Sequence, residues 1–184
     1  MKYLYICFLA SIFFHGCSLK YTQGTEGVEE RIPEFVFENP TFIRYEDNVK
    51  TVFLNAATVE QYKADRNTYA KNVNFFVNDE DGNIATEGEC ALLALDSKKG
   101  EYSLYDNINI NHKKDNISMH ATELRWNEKT EQLISGRGNN ITVTQDGTTI
   151  HGSGFSASGV TNSFQFVGAV SGVIETNDKN ENNE

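Results

Sequence analysis

Apolar and polar residues alternate with a period of two through much of the central part of the chain. The clearest runs are residues 107–111 (NININ), 141–144 (ITVT) and 163–166 (SFQF). Successive side chains of a β-strand point to opposite faces of the sheet, so each run predicts a strand with one buried face. Turn-forming pairs such as Asp81-Gly82 and Asp146-Gly147 lie between the runs and favour tight hairpins. The pattern therefore predicts an all-β domain with an antiparallel sheet.

Two features bear on the continuity of this sheet. Both prolines, Pro33 and Pro40, precede residue 41, so every later residue keeps the backbone N–H that a ladder hydrogen bond needs. That favours one continuous sheet. Residues 58–71 (TVEQYKADRNTYAK) also fit a helix by composition, and the inward parity of a strand in this region stays open.

An internal repeat supports the β interpretation. The pair Ala57-Thr58 recurs at residues 121–122, Asp81-Gly82 recurs at residues 146–147, and Gly88 recurs as Gly152, all at a nearly constant offset. Turns and strands that reappear in the same order imply two copies of a meander unit. Repeated antiparallel hairpins of this kind form an open β-jelly-roll or β-roll with an apolar inner face and unpaired edges.

The two ends of the chain differ from this domain in their residue pattern and composition. Lys2, the apolar residues 3–14 and then His15-Gly16-Cys17 have the layout of an export signal over residues 1–16. The apolar run offers only about 18 Å of helix at 1.5 Å per residue, less than the roughly 30 Å of a bilayer core. Gly16-Cys17 satisfies the small-residue-cysteine requirement of lipoprotein signals, so we expect acylation at Cys17; an uncleaved anchor is the alternative.

The predicted boundaries follow from composition. Residues 17–30 read as the lipidated N-terminus and a flexible tether, because they are polar and glycine-bearing. Residues 175–184 have no hydrophobic side chain and read as a disordered acidic tail. The folded domain is therefore expected to span residues 31–174.

Charge and cysteine content narrow the functional classes. The formal net charge of −10 excludes the basic footprint that nucleic-acid binding requires. Cys7 lies in the signal and Cys17 carries the expected lipid, which leaves Cys90 alone and allows no internal disulfide.

Enzymatic sites find no support in the sequence. The chain contains neither a G-x-x-x-x-G-K-[ST] phosphate loop nor a G-x-S-x-G nucleophile elbow. His112, His120 and His151 are scattered without metal-ligand spacing, and the carboxylates of residues 79–81 lie in a predicted turn. We therefore expect no enzyme, no metal and no cofactor.

Aromatic side chains recur in the predicted strands, among them Phe35, Phe75, Trp126 and Phe164. They fit two interpretations. Either they form an ordinary packed core, or a roll that fails to close uses its inner face as a lipid-sized trough. Burial at about 0.8 kcal/mol per methylene makes a twelve-carbon acyl chain worth roughly 9 kcal/mol, so such a trough would hold lipid without any catalytic group.

Short motifs in the second half of the domain resemble the LptC family and, more loosely, LptA. Residues 141–155 (ITVTQDGTTIHGSGF) are similar to the family's C-terminal strand, Gly-Thr-Thr turn and Ser-Gly-apolar step. Residues 121–124 (ATEL) resemble its alanine-led strand start, and the resemblance covers about residues 33–173. It implies an open β-jelly-roll in the periplasm, anchored to the inner membrane. Such a protein receives lipopolysaccharide from the LptB, LptF and LptG transporter and passes it to LptA.

The resemblance also implies where lipid and partner bind. Apolar inner-face residues would touch the acyl chains: Phe42, Phe53, Phe75, Val77, Leu104, Ile108, Ile110, Met119, Ile141, Val143, Phe155, Phe164 and Phe166. Gly154 falls on a glycine that the family needs for a working bridge. A last alternating strand at about residues 164–173 would present a free edge for strand addition. The residues expected at this partner interface are Gly152, Gly154, Phe166, Val167 and Val170.

The chain departs from the family at its N-terminus, where many members carry a full transmembrane helix and this sequence has the expected lipidation cysteine. One alternative is a soluble, LptA-like bridge protein with an ordinary cleavable signal. Another is a surface lipoprotein with a structural or adhesive role, in which the aromatic residues are only core. The identity of the lipid and the oligomeric state do not follow from the sequence.

Overall fold

Fourteen strands form one antiparallel sheet in the computed structural model, which describes residues 32–63, 66–160 and 163–174. The strands are β1 (Phe35–Glu38), β2 (Thr41–Glu46), β3 (Val49–Asn55), β4 (Thr58–Gln61), β5 (Asn67–Asn78), β6 (Ile84–Asp96), β7 (Glu101–His112), β8 (Ile117–Asn127), β9 (Gln132–Ile134), β10 (Asn140–Gln145), β11 (Thr148–Ser153), β12 (Phe155–Ser158), β13 (Ser163–Phe166) and β14 (Val170–Ile174). The expected all-β, open antiparallel architecture is confirmed. Within these ranges there is no helix long and apolar enough to cross a membrane.

The helical alternative for residues 58–71 is wrong. Its beginning is β4 and its end is the start of β5, and the two strands pair with Val59 opposite Ala70. Both of these side chains are buried, so the parity left open by the sequence is resolved with Val59 and Ala70 facing inward.

The four long strands β5, β6, β7 and β8 lie side by side and carry shorter strands on both flanks. One half of β5 pairs with β4, which pairs with β1, and the other half pairs with β3, which pairs with β2. Likewise, one end of β8 pairs with β9, which leads to β12 and β13, and the other end pairs with β10, which leads to β11 and β14. Each flank of the sheet is thus split in two.

A line of backbone irregularities crosses the long strands near their middle. Asn72 in β5 and the pair Asp106 and Asn107 in β7 adopt positive φ angles of 52°, 55° and 51°. Asparagine and aspartate tolerate this left-handed region better than most residues. The β6–β7 and β7–β8 ladders shift register at this line, and bulges of this kind bend strands. The inward parity also changes there, because the buried residues Ala121 and Leu124 of β8 are three positions apart.

The bend divides the sheet into two arms. The first arm contains β1, β4, β9, β12, β13 and the adjoining halves of the long strands, and the second arm contains β2, β3, β10, β11, β14 and the other halves. The inner faces of the arms meet. The Phe37 ring of the first arm lies 6.2 Å from the Phe42 ring of the second, and a Cβ built on Gly152 would come within 2.6 Å of the Phe166 ring.

The buried core lies between the two arms close to the bend. Ile108 and Leu124 are fully buried and Ile141 is 1% exposed. The rest of the core consists mainly of small and aliphatic side chains, which are Ala56, Val59, Ala70, Val73, Cys90, Leu104, Ile110, Ala121, Val143 and Phe155.

The internal repeat has a partial structural counterpart. Asp81-Gly82 and Asp146-Gly147 both form hairpin turns, with Gly82 and Gly147 at φ 83° and 80°. Gly88 and Gly152 each lie against a phenyl ring, that of Phe75 and that of Phe166, which would clash with a Cβ. Ala57, however, immediately precedes β4, whereas Ala121 lies in the middle of β8. The chain is therefore not two superposable copies of one meander.

The single last strand expected at about residues 164–173 is also corrected. The segment is two strands, β13 and β14, which belong to different arms and pair with β12 and β11 respectively. Between them the N–H of Gly168 donates to the carbonyl of Ser153, and a Cβ on Gly168 would clash with the Ser153 side chain. This close approach carries the chain from one arm to the other.

Candidate functional site

The register aligns inner-face side chains, most of them apolar, into rows that cross the sheet from its N-terminal to its C-terminal edge. In the second arm the row is Phe42, Leu54, Phe75, Gly88, Ile110, Met119, Val143, Ile150 and Gly172. In the first arm a row runs through Phe35, Gln61, Thr68, Leu95, Tyr102, Trp126, Leu133, Ala157 and Phe164. Strands lie about 4.8 Å apart, so each row is roughly 38 Å long. The face that carries these rows and the core is called the trough below.

Most of the residues expected to line the inner face do lie on it. Phe42, Phe75, Ile110, Met119, Val143 and Phe164 belong to the two rows. Val77 follows Phe75 by two positions in the same strand, and Phe166 packs against the core. Leu104, Ile108, Ile141 and Phe155 are part of the core itself. Whether these side chains touch lipid stays a prediction.

The expectation that Phe53 lies on the inner face is wrong. Phe53 pairs with Phe76, whereas the neighbouring Leu54 pairs with Phe75, which packs against the core. Adjacent residues of a strand point to opposite faces, so Phe53 lies on the outer face of the sheet. Its ring contacts that of Phe76 there, with 5.8 Å between centroids.

Exposure along the trough rises from its centre to its two ends. Near the bend the arms bury each other's side chains, which agrees with the packed-core interpretation for that part of the molecule. At the N-terminal end, Phe35, Phe37 and Phe42 are 52%, 44% and 44% exposed. At the C-terminal end, Phe164 and Val170 are 44% and 53% exposed. Large exposed apolar side chains at both ends of an apolar strip are typical of interaction surfaces.

Each end of the trough carries a cluster of three phenyl rings. At the N-terminal end, Phe37 lies 6.3 Å from Phe35 and 6.2 Å from Phe42. At the C-terminal end, the rings of Phe155, Phe164 and Phe166 are mutually 5.4–6.2 Å apart. Aromatic pairs at such separations attract each other, so both ends hold a preformed apolar surface.

The centre of the trough contains no charge at neutral pH among the residues of its core. Its one ionisable side chain is Cys90, and burial, with a smaller effect of Glu89, raises the pKa of this thiol to about 11. The thiol is thus neutral at pH 7 and packs as a small apolar group.

Charged side chains meet at the mouth of the trough, where the arms are farthest from the bend. The Arg44 guanidinium of β2 lies 3.2 Å from a carboxylate oxygen of Glu128, which follows β8 in the opposite arm, and 2.8 Å from Glu46 of its own strand. The hydrogen bond to Glu128 and the charge of Glu46 raise the pKa of Arg44. Tyr102 lies near this group, and burial together with the Glu128 charge raises the pKa of its phenol.

Apart from Ile43, Phe53 and Phe76, which pair across neighbouring strands, the outer face of the second arm is mostly polar. Cross-strand hydrogen bonds link Asn109 to Glu89 at 2.7 Å and to His120 at 2.7 Å, and Thr142 to His151 at 2.8 Å. Two shallow depressions of about 230 and 270 Å³ lie on this face and share Asn109 and Asn111 in their linings. A polar lining does not suit acyl chains, so the trough is the better candidate for an apolar ligand.

The residues expected at the partner interface gather at the C-terminal end of the trough. Gly152 pairs with Val170 in the β11–β14 ladder, and Phe166 is the last residue of β13. Val167 is 71% exposed and donates its N–H to the carbonyl of Gly154 at 3.2 Å. Gly154 has φ 66°, a conformation that costs other residues roughly 1–2 kcal/mol. Their contact with a partner stays a prediction.

Sequence reasoning missed several residues of the site. Phe35 and Phe37 lie on the trough face, and their spacing of two residues is the signal that puts both rings on the same face of a strand. Arg44 and Glu128 have none, since they are 84 positions apart in the sequence.

The family model described as "Lipopolysaccharide-assembly, LptC-related" matches residues 3–175. The chain belongs to this LptC-related family. The resemblance read from residues 121–155 is thereby confirmed, and membership identifies the protein as a non-enzymatic component of periplasmic lipopolysaccharide transport. None of the curated proteins matches the sequence.

Among solved structures, the LptC-related chain is similar to LptH from Pseudomonas aeruginosa, described as the LptA-homologous periplasmic component of the lipopolysaccharide transport device. The two are 11% identical, and the match covers 80% of this chain and 99% of LptH, with a TM-score of 0.34.

Proposed function

We propose that this LptC-related chain is a bridge that holds the acyl chains of lipopolysaccharide in the trough between its two arms. The observation that carries the proposal is the inner-face row of the second arm, which connects Phe42 on the N-terminal side to Gly172 on the C-terminal side and contains no polar side chain. A ligand chain lying along a row would exchange water for apolar contacts over its whole length, which is favourable by about 0.8 kcal/mol per methylene.

The proposed direction of transfer is the one that the resemblance to the LptC family implies. Lipid enters at the N-terminal end, beside β1 and β2, from an inner-membrane transporter of the LptB, LptF and LptG type. It leaves at the C-terminal end, beside β13 and β14, to an LptA-like protein. The exposed phenyl groups at both ends support this route, because lipid passing between proteins needs apolar surface up to the edge of each.

Inner-face and outer-face positions should differ sharply in lipid capture. A photo-crosslinking residue at Ile110 or Ile141 should become attached to lipopolysaccharide in cells, because both positions face the trough. The same residue at Asn109 or Thr142, one position away on the outer face, should not. The measurement is immunoblotting for lipopolysaccharide on the purified, irradiated full chain.

Phe53 makes a stringent control for this experiment. It is aromatic, but the register places it on the outer face, so a crosslinker there should capture no more lipid than one at Asn109. Equal labelling of both faces would mean that the trough is not where lipid is held.

We also propose that the chain is anchored to the inner membrane through acylated Cys17, after removal of residues 1–16. This expectation, together with the tether at residues 17–30 and the tail at residues 175–184, concerns residues outside the described ranges. The support is in the sequence, where Gly16-Cys17 follows an apolar run.

Replacing Cys17 by alanine should abolish incorporation of labelled fatty acid and release the protein from the membrane fraction. The change removes the thiol that forms the thioether to the lipid. Intact-mass measurement of the parent protein should show a chain that starts at Cys17 and carries lipid. A full-length, unmodified N-terminus would instead favour an uncleaved anchor, and a cleaved chain without lipid would favour the soluble bridge.

A further inference from the structure

The contact between Arg44 and Glu128 joins parts of the sheet that the strand order keeps far apart. β2 and β8 are separated in the sheet by β3, β5, β6 and β7, which corresponds to roughly 24 Å along a flat sheet. The two side chains nevertheless lie 3.2 Å apart. Only folding of the arms onto each other can bring them together, so this ion pair spans the mouth of the trough.

Both partners lie at the open margin of their arms. Arg44 pairs with Val52, which pairs with Val77 near the end of β5. Glu128 follows the end of β8, and its N–H donates to the carbonyl of Gly100 in the turn before β7. Tyr102, an inner-face residue of the first arm, lies near enough to the pair for both charges to act on its phenol.

We propose that the Arg44–Glu128 ion pair is a latch that holds the mouth of the trough closed and must open for an acyl chain to enter between the arms. The proposal rests on the proposed function of the trough as a lipid site. Entry requires an opening because the arms bury the central apolar residues against each other.

The geometry suits a contact that opens readily. The side chains of Arg44 and Glu128 are 54% and 47% exposed, and pairs this exposed shift an equilibrium by no more than roughly fivefold. The same guanidinium contacts Glu46 at 2.8 Å on its own strand. When the pair separates, Arg44 therefore retains a carboxylate partner, which keeps the cost of opening low.

Glu46 and Glu128 provide a matched pair of variants. Glu128→Gln removes the charge across the mouth, and the full chain should then capture fluorescent lipopolysaccharide two- to fivefold faster than the parent in a stopped-flow assay. Glu46→Gln removes a carboxylate from the same guanidinium without touching the contact between arms. It should not speed capture, because the contact between the arms is intact and the released Arg44 has lost its other carboxylate partner.

Cross-linking tests the need for opening directly. In the double variant Arg44→Cys/Glu128→Cys, a short bis-maleimide should tie the arms together, with peptide mass spectrometry confirming that the link joins positions 44 and 128. Capture of fluorescent lipopolysaccharide should then fall at least tenfold relative to the same variant before cross-linking. The control is Glu87→Cys/Lys113→Cys, because Glu87 and Lys113 form an ion pair at 2.7 Å within one arm. Cross-linking there should leave capture unchanged.

The outcomes separate the latch from the proposed function. If the parent captures lipid but the variant cross-linked at positions 44 and 128 captures it as fast as before, or if Glu128→Gln is no faster than Glu46→Gln, the latch is overturned while the trough stands. If the parent and all variants capture no lipid, the proposed function fails and the latch fails with it.

Discussion

Replacing Leu124 by alanine is expected to lower the free energy of unfolding by about 2–5 kcal/mol. Leu124 is fully buried, pairs with Leu104 and lies in β8 just beyond the bend. β8 carries both C-terminal flanks of the sheet, through β9 and through β10. A cavity at this position therefore loosens the point on which both arms depend. Urea denaturation followed by circular dichroism measures the change.

Val160→Ala is the control for this experiment. Val160 is 72% exposed, so its truncation should change the free energy of unfolding by no more than about 0.5 kcal/mol. A loss below about 1 kcal/mol in Leu124→Ala would show that the arms do not pack on this residue as the structure has them.

The strands and the face of most residues were predictable because both depend on local alternation. Residues 107–111 fall in β7, with Ile108 and Ile110 buried and the asparagines outside. The face of Phe53, however, does not follow from alternation. Phe75 and Phe76 are adjacent and both aromatic, so apolarity alone does not say which of them faces inward. The cross-strand register decides it, and with it the face of Phe53.

The bend was not predictable, although its residues are of a suitable type. Asn72, Asp106 and Asn107 take the left-handed conformation at the bend, but asparagine and aspartate are also frequent in the strands and turns of this chain. The chemistry that permits a positive φ does not show which asparagine uses it. The same applies to the crossing at residues 167–169, where an apolar sequence continues the strand pattern and a close approach of Gly168 to Ser153 breaks it.

The contact between the arms at the mouth is even less predictable from the sequence than the bend. Arg44 and Glu128 are 84 positions apart. Their neighbours, Ile43 and Tyr45 in one case and Asn127 and Lys129 in the other, give no sign of a partner. Such a pair appears only once the two flanks of the sheet have been folded toward each other. The functional face could thus be predicted from alternation, whereas the elements that close it could not.

Removing one outward backbone donor from β13 is expected to weaken binding of an LptA-like partner strongly without unfolding the domain. Among the described residues β13 pairs only with β12, so its other side is a free edge. Val167 donates its N–H to the carbonyl of Gly154. Donors alternate between the two sides of an antiparallel strand, which directs the N–H of Phe166 away from β12 and toward the free edge.

Phe166→Ala and Phe166→Pro separate the donor from the ring. Both variants lose the phenyl group that covers Gly152 and contacts Phe155, so both should lose a similar amount of stability in urea denaturation. Only the proline variant also lacks the outward N–H, and its pyrrolidine ring faces an approaching strand. Proline in natural edge strands prevents pairing with other strands in this way. Val167→Pro, by contrast, leaves the Gly154 carbonyl unpaired and should lower the free energy of unfolding by about 1–3 kcal/mol.

The decisive comparison is the affinity of Phe166→Ala and Phe166→Pro for an LptA-like protein, measured by surface plasmon resonance. Strand addition depends on backbone hydrogen bonds, so the proline variant should bind at least roughly tenfold more weakly, a difference of about 1.4 kcal/mol. Gly154→Arg is a poorer probe, because the positive φ of Gly154 and the nearby Val167 side chain would couple any loss of binding to backbone strain. Equal affinities for the two Phe166 variants would mean that the partner does not pair with β13, and the exit of the bridge would then have to lie elsewhere than at this edge.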